Sequence, residues 1–147
     1  MTNDIFKMIE IDIFTEQPIE IIPLGDLHIG SKTCNIRLIE DTFNSILMDR
    51  NKYCVFLGDL CDIGLKNSKT DIYESQLSIQ EQLGLVEKLI KPLALKNKIL
   101  SMTSGNHENR ISREVGIDFS KVIASDLGIS HLYRKEIAFL KLRINPK

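Results

Sequence analysis

Three observations on the 147-residue chain predict an α/β fold, in which βαβ units form a central mixed sheet flanked by helices. Apolar runs of strand length alternate with stretches of helical periodicity, a pattern that argues for parallel βαβ units. Three of those runs break into glycine-containing polar clusters: GDLHIG at 25–30, GDLCDIG at 58–64 and SGNHENR at 104–110. Hydrophobic residues at 43% and charged residues at 27% give the balance of a chain that folds around a core.

The elements follow in order. FKMIEIDI, residues 6–13, alternates with a period of two, and after the turn-like TEQP a second run, IEIIPLG, leads to Asp26; both read as strands. Between Asn35 and Met48, Ile36, Ile39, Phe43, Ile46 and Leu47 recur at helical spacing, so one face of a helix packs on the sheet. KYCVFLG, residues 52–58, is the next parallel strand, and Asp59 to about Thr70 is a polar loop. Leu77, Leu83, Val86, Ile90 and Leu93 mark a long second helix. Pro92 is expected to bend or divide it, because its ring removes a backbone donor. KILSMTSG, residues 98–105, reads as a buried strand. Residues 109–115 and 118–127 read as helices, the latter with Asp118 as its N-cap and Gly128 as its stop. AFLKLRI, residues 138–144, is a last strand, with Leu140, Leu142 and Ile144 on one side and Lys141 and Arg143 on the other.

A chain of this length fits one domain, residues 1–147, without repeat or linker. Nineteen basic against twenty acidic residues leave a net charge of -1. No global field therefore draws the chain to nucleic acid or an anionic membrane. The charges are uneven: residues 1–28 carry six acids against Lys7, and residues 134–147 carry five bases against Glu136. These ends read as two solvated faces. Cys34, Cys54 and Cys61 are odd in number and lack Cys-x-x-Cys spacing, so reduced thiols are the simplest account, and Cys61 reads as packing. No charged leader with an apolar segment opens the chain and no run is long enough to span a bilayer, so a cytoplasmic setting without a membrane partner is expected.

In a parallel sheet the carboxyl ends of neighbouring strands lie side by side, so the three polar clusters converge at one edge. Carboxylate, imidazole and amide oxygen are ligands that Mn²⁺, Fe, Zn²⁺ or Mg²⁺ accept. Asp26 and His28 can face one ion, Asp59 can bridge to a second with its two oxygens, and Asn106 can supply an amide oxygen. As single residues, Asp26 and Asp59 would more ordinarily be helix caps. Their convergence with His28 and Asn106 favours metal. His131, near the turn at Gly128, reads as an ordinary surface histidine.

Asp-x-His, Gly-Asp-x-x-Asp and Gly-Asn-His-Glu, in this order and each after a strand, resemble the calcineurin-like metallophosphoesterase superfamily. The resemblance is close from Ile21 to about Arg110. It implies that Asp26 and His28 hold a first metal, that Asp59 bridges, and that Asn106 holds a second metal and touches the phosphate. It implies further that His107 is no ligand but protonates the leaving oxygen, and that Asp62 and Glu108 accept hydrogen bonds behind the ligands. Arg110 is a candidate phosphate contact or a residue of a plain helix face. The expected activity is metal-dependent hydrolysis of a phosphate mono- or diester by a metal-bridging hydroxide, with Mn²⁺ foremost. Nucleotides and nucleic acids are among the candidate substrates. Ile63 stands where protein serine/threonine phosphatases carry arginine, which argues against that specificity.

The family's later histidine motif, Gly-His-x-His, is absent after Gly105. The chain therefore resembles the first half of such a domain, half of a four-layer sandwich that is truncated at its carboxyl end. The second metal keeps only Asp59 and Asn106, so a single weakly held ion or none is expected. The rival expectation is a catalytically silent metal- or partner-binding remnant. In either case, self-association or a second chain is expected to cover the final strand.

Overall fold

The chain's structure, a computed structural model, describes residues 7–63 and 77–146. Phe6 of the expected first strand and residues 64–70 of the expected loop lie outside the described residues. Six strands are described: β1 (Ile9–Phe14), β2 (Glu20–Leu24), β3 (Lys52–Phe56), β4 (Ile99–Thr103), β5 (Tyr133–Arg134) and β6 (Leu140–Asn145). Four α-helices, α1 (Ile36–Met48), α2 (Ile79–Leu95), α3 (Asn106–Val115) and α4 (Phe119–Asp126), lie between them.

The α/β class is as expected, with two differences in the sheets. Every described strand pairing is parallel, so the sheet is not mixed. The cause is topological: at least one helix separates each neighbouring pair in the order β2-β3-β4-β5 and returns the chain to the same end of the sheet. The second difference is that β1 and β6 form a two-stranded sheet of their own, in register from Ile9 opposite Leu140 to Phe14 opposite Asn145. The last strand, expected to lack a partner, is thus paired along one edge by the first. β5 was not anticipated, because two residues are too few to carry a pattern. Its Tyr133 hydroxyl donates to both carboxylate oxygens of Asp118, at 2.8 and 2.9 Å.

The helices start where side chains satisfy their first backbone donors. Asn35 Oδ1 accepts from the Leu38 amide at 3.1 Å, and Asp118 Oδ1 accepts from the Lys121 amide at 3.1 Å. At α2, Ser78 Oγ accepts from the Glu81 amide while Glu81 returns a carboxylate oxygen to the Ser78 amide. α2 runs undivided through Pro92. Proline there removes one hydrogen bond in the last turn, while fully buried Ile90 and Leu93 hold both sides to the core.

The core lies between the four-stranded sheet and its helices: Cys54, Phe56 and Met102 from strands meet Ile39, Phe43 and Ile46 of α1, and Val86, Ile90 and Leu93 of α2. Phe43 meets Phe56 edge to face, with centroids 6.0 Å apart. Each such side chain contributes about 1.5–3 kcal/mol by leaving water. That burial fixes β2, β3 and β4 side by side, with their carboxyl ends at one edge. No described helix is long and apolar enough to cross a membrane.

Candidate metal centre

The loops leaving β2 and β3 continue the sheet's pairing as single strands of irregular backbone. The amides of Asp26, His28 and Ile29 donate to the carbonyls of Gly58, Asp59 and Leu60 at 3.3, 3.0 and 2.9 Å, and the Asp62 amide returns to Ile29 at 3.1 Å. Asp26 (φ 53°), His28 (φ 44°) and Asp59 (φ 52°) all occupy the left-handed region, as does Ile63 (φ 31°). This conformation costs about 1–2 kcal/mol per non-glycine residue. Such strain persists where surrounding contacts over-determine it, and it concentrates at functional sites.

Two contacts supply the support. A Cβ on Gly58 would lie 2.3 Å from the Gly105 nitrogen, and one on Gly105 would lie 2.1 Å from the Asp59 nitrogen, so the β3 and β4 loops touch backbone to backbone. Glu108, 1% exposed, then ties them together. Its Oε2 accepts from the amides of Asp59 and Gly105, and its Oε1 accepts from the amide of Cys61, all at 3.0 Å. Glu108 therefore fixes backbone, as expected of it, though no histidine. The same carboxylate starts α3 at Asn106, earlier than the expected 109, since it occupies the third helical position and accepts from the cap residue. Asn106 and His107, expected in a loop, are the first two residues of this helix.

Asp59 is buried, and its Oδ1 accepts from the His107 amide at 2.8 Å. His107 Nδ1 lies 2.6 Å from the Asp62 carbonyl oxygen. A carbonyl only accepts, so Nδ1 carries the proton and Nε2 keeps the lone pair in the neutral ring. The rings of His28 and His107 meet edge to face with centroids 4.5 Å apart. His28 Nε2 lies 3.6 Å from Asp26 Oδ1, and its Nδ1 lies 3.6 Å from Asp62 Oδ1. The Asp26 side chain is 84% exposed and Asp62 lies at the buried end.

Donor atoms of Asp26, His28 and Asp59 all lie within 4.8 Å of one another, and so do those of His28, Asp62 and His107. A divalent ion 2.0–2.3 Å from each ligand needs donors roughly 3–4 Å apart. The oxygen and nitrogen donor sets fit such an ion with little movement. The two triads share His28, and a neutral imidazole offers one lone pair, so His28 serves one triad at a time. Asp62 and His107, expected behind or beside the metal, form with His28 a second, alternative group of possible ligands. Asn106 stands next to His107 with its side chain exposed.

Arg110 lies one turn further along α3, and its Nη1 is buried without a hydrogen-bond partner among the described residues. His131 is exposed in a 3-10 turn, as expected. Cys61 packs in the core; burial, then Glu108 and Asp62, push its thiol far up, so it stays neutral. Gln82 on α2 was missed by the sequence reading. Fully buried, it accepts from the strained Ile63 amide at 3.2 Å and donates to the Leu77 carbonyl. A lone glutamine on an apolar helix face carries no signal of such a role.

No curated protein and no solved structure matches the chain. The family model for calcineurin-like phosphoesterases matches residues 19–144, and so extends beyond Arg110 into the part where the motifs thin out. A sheet edge that gathers Asp26, His28, Asp59 and the Asn-His-Glu turn, together with a match over most of its length, means that the chain belongs to the calcineurin-like phosphoesterase family.

Proposed function

We propose that the chain hydrolyses a phosphate mono- or diester with a divalent metal ion, Mn²⁺ foremost, held by Asp26, His28 and Asp59. The observation that carries this reading is the convergence of those three donors within 4.8 Å in a chain of this family. When bound, such an ion supplies charge neutralisation and lowers the pKa of water.

The protein's own groups do the rest. His107, held by its Nδ1–H on the Asp62 carbonyl, presents Nε2 and, when protonated there, gives that proton to the leaving oxygen. Its backbone amide fixes Asp59 Oδ1. The exposed Asn106 amide and the unpartnered Arg110 Nη1 are the candidate phosphate contacts on the same helix. Asp62 and Glu108 hold the loops that carry the ligands. The three free cysteines agree with a cytoplasmic setting.

The test is hydrolysis of a generic phosphomonoester and phosphodiester with added Mn²⁺. Turnover is expected to vanish in Asp59→Asn and to fall about 10²–10⁴-fold in His107→Ala, the usual effect of losing a general acid. Turnover unchanged in both variants would overturn the proposal. Metal binding without turnover would favour the alternative, a silent remnant that a second chain must complete.

A further inference from the structure

Gln82, the fourth residue of α2, is 1% exposed and faces the loops that carry the candidate ligands. The helix start that bears it is fixed: Ser78 and Glu81 cap each other's backbone, and the Gln82 amide donates to the Ser78 carbonyl at 2.9 Å. Gln82 Oε1 accepts from the Ile63 amide at 3.2 Å, and Nε2 donates to the Leu77 carbonyl at 3.0 Å. Both ends of the side-chain amide are engaged, so its plane is set. The β2 loop closes on it as well: a Cβ on Gly30, two residues past His28, would lie 2.4 Å from Gln82 Cδ.

Satisfying a buried amide accounts for the bond to Ile63. It does not account for what stands on the other side of the same peptide unit. The N–H of Ile63 and the C=O of Asp62 belong to one planar trans peptide, so they point in opposite directions and turn together. The Asp62 carbonyl accepts from His107 Nδ1 at 2.6 Å. Gln82, the Asp62–Ile63 peptide and the His107 ring thus form a chain of two hydrogen bonds through one rigid group, each polarising the other. Ile63 is the weak point of that chain. At φ 31° a β-branched residue holds a conformation it rarely adopts, and a flip of the peptide would return it to the extended region. The same flip would swing the Asp62 carbonyl away from His107.

We infer that Gln82 is a positioning residue for the proposed hydrolysis: it locks the Asp62–Ile63 peptide so that the Asp62 carbonyl holds His107 with its proton on Nδ1 and its Nε2 free for the leaving oxygen. The inference rests on the phosphoesterase reading for what His107 does, whereas the lock itself belongs to the metal-free chain.

The experiment joins two readouts. In the metal-free chain with neutral imidazoles, NMR of the ring nitrogens should show His107, identified by its absence from His107→Ala, as the Nδ1–H tautomer. Gln82→Met, close in volume but without the acceptor, should lose that single tautomer. Gln82→Glu, which keeps an oxygen for the Ile63 amide, should retain it. With Mn²⁺, Gln82→Met should lower turnover of phenyl phosphate about 10–100-fold, the usual effect of losing a partner behind a site histidine. Turnover of para-nitrophenyl phosphate, whose nitro group stabilises the leaving oxygen without a proton donor, should change less than about threefold. In a His107→Ala background the substitution should have no further effect on either ester. A His107 tautomer unchanged in Gln82→Met, or lost in Gln82→Glu as well, would overturn the inference with the phosphoesterase reading intact, as would an equal fall for the two esters. A tautomer lost in Gln82→Met without turnover from the wild-type chain would uphold the lock and overturn the phosphoesterase reading.

Discussion

The two sheets of this molecule are held together in opposite ways. Around the metal edge, β2, β3 and β4 and their loops are joined by buried groups: a carboxylate with three backbone donors, a glutamine inside the core, and two glycines whose backbones touch. The β1–β6 sheet also buries Ile9 and Ile13, but its side-chain ion pairs lie at the surface. Arg143 reaches Asp12 through two nitrogens, at 2.7 and 3.0 Å, and also grips Glu10, while Lys141 lies 3.9 Å from Glu10. The left-handed residues that carry the candidate ligands thus lie in the sheet whose supports are shielded from water. The β1–β6 sheet adds to its buried Ile9 and Ile13 a set of surface ion pairs that salt and acid weaken.

Glu108→Ala should break that contrast most severely. It strands two buried amides and one half-buried amide and should cost about 3–5 kcal/mol in urea-unfolding stability. A loss within experimental error of wild type would mean that the loops hold themselves. Next comes Gly105→Ala. At φ -97° the new residue is conformationally ordinary, but its Cβ collides with the Asp59 nitrogen at 2.1 Å. Separating the loops should lower stability by about 2–4 kcal/mol and weaken Mn²⁺ binding at the same time, which calorimetry would read. Mn²⁺ itself should stabilise the chain by about 2.7 kcal/mol when its concentration is a hundred times its Kd, and Asp59→Asn should remove the rise in Tm.

The smallest effect belongs to the surface sheet. Arg143 lowers the pKa of Glu10 and Asp12 from 4.5 and 3.8, chiefly through its hydrogen bonds. The stability these acids contribute is therefore present above those ordinary values and is lost as the pH falls through the lowered ones. Hydrogen exchange should show the β1 amides opening as the pH falls below the ordinary carboxylate range while β3 and β4 stay protected. Arg143→Ala should reproduce this at neutral pH, with a smaller loss of Tm than Glu108→Ala. Equal acid sensitivity in both sheets would erase the distinction.

Much of this was legible because it was written in short-range patterns. Periodicity marked α1, α2 and α4, and the polar breaks after β2, β3 and β4 named Asp26, His28 and Asp59. The three spaced motifs also identified the family. What stayed hidden depended on pairings across the whole chain. The acidic first segment and basic last segment read as separate solvated faces, yet the parallel register of β1 and β6 sets Glu10 opposite Lys141 and Asp12 opposite Arg143. The start of α3 was missed because Gly-Asn reads locally as a turn. The Glu108 carboxylate makes it a helix start by accepting from the Gly105 amide, while its contacts to amides nearly fifty residues earlier hold that turn in place.

That separation also sets an order of events in time. Glu108 meets Asp59 and Cys61 across 49 and 47 residues, and His107 meets Asp62 across 45. Contacts of such range close only after a large loss of chain entropy, so they follow local structure in folding. In a refolding time course, α1 should acquire exchange protection early, whereas the amides of Asp59 and Cys61 should acquire it only as α3 docks. The left-handed turns that carry the candidate ligands then appear in the final step, and a chain that has nearly folded still has no metal centre.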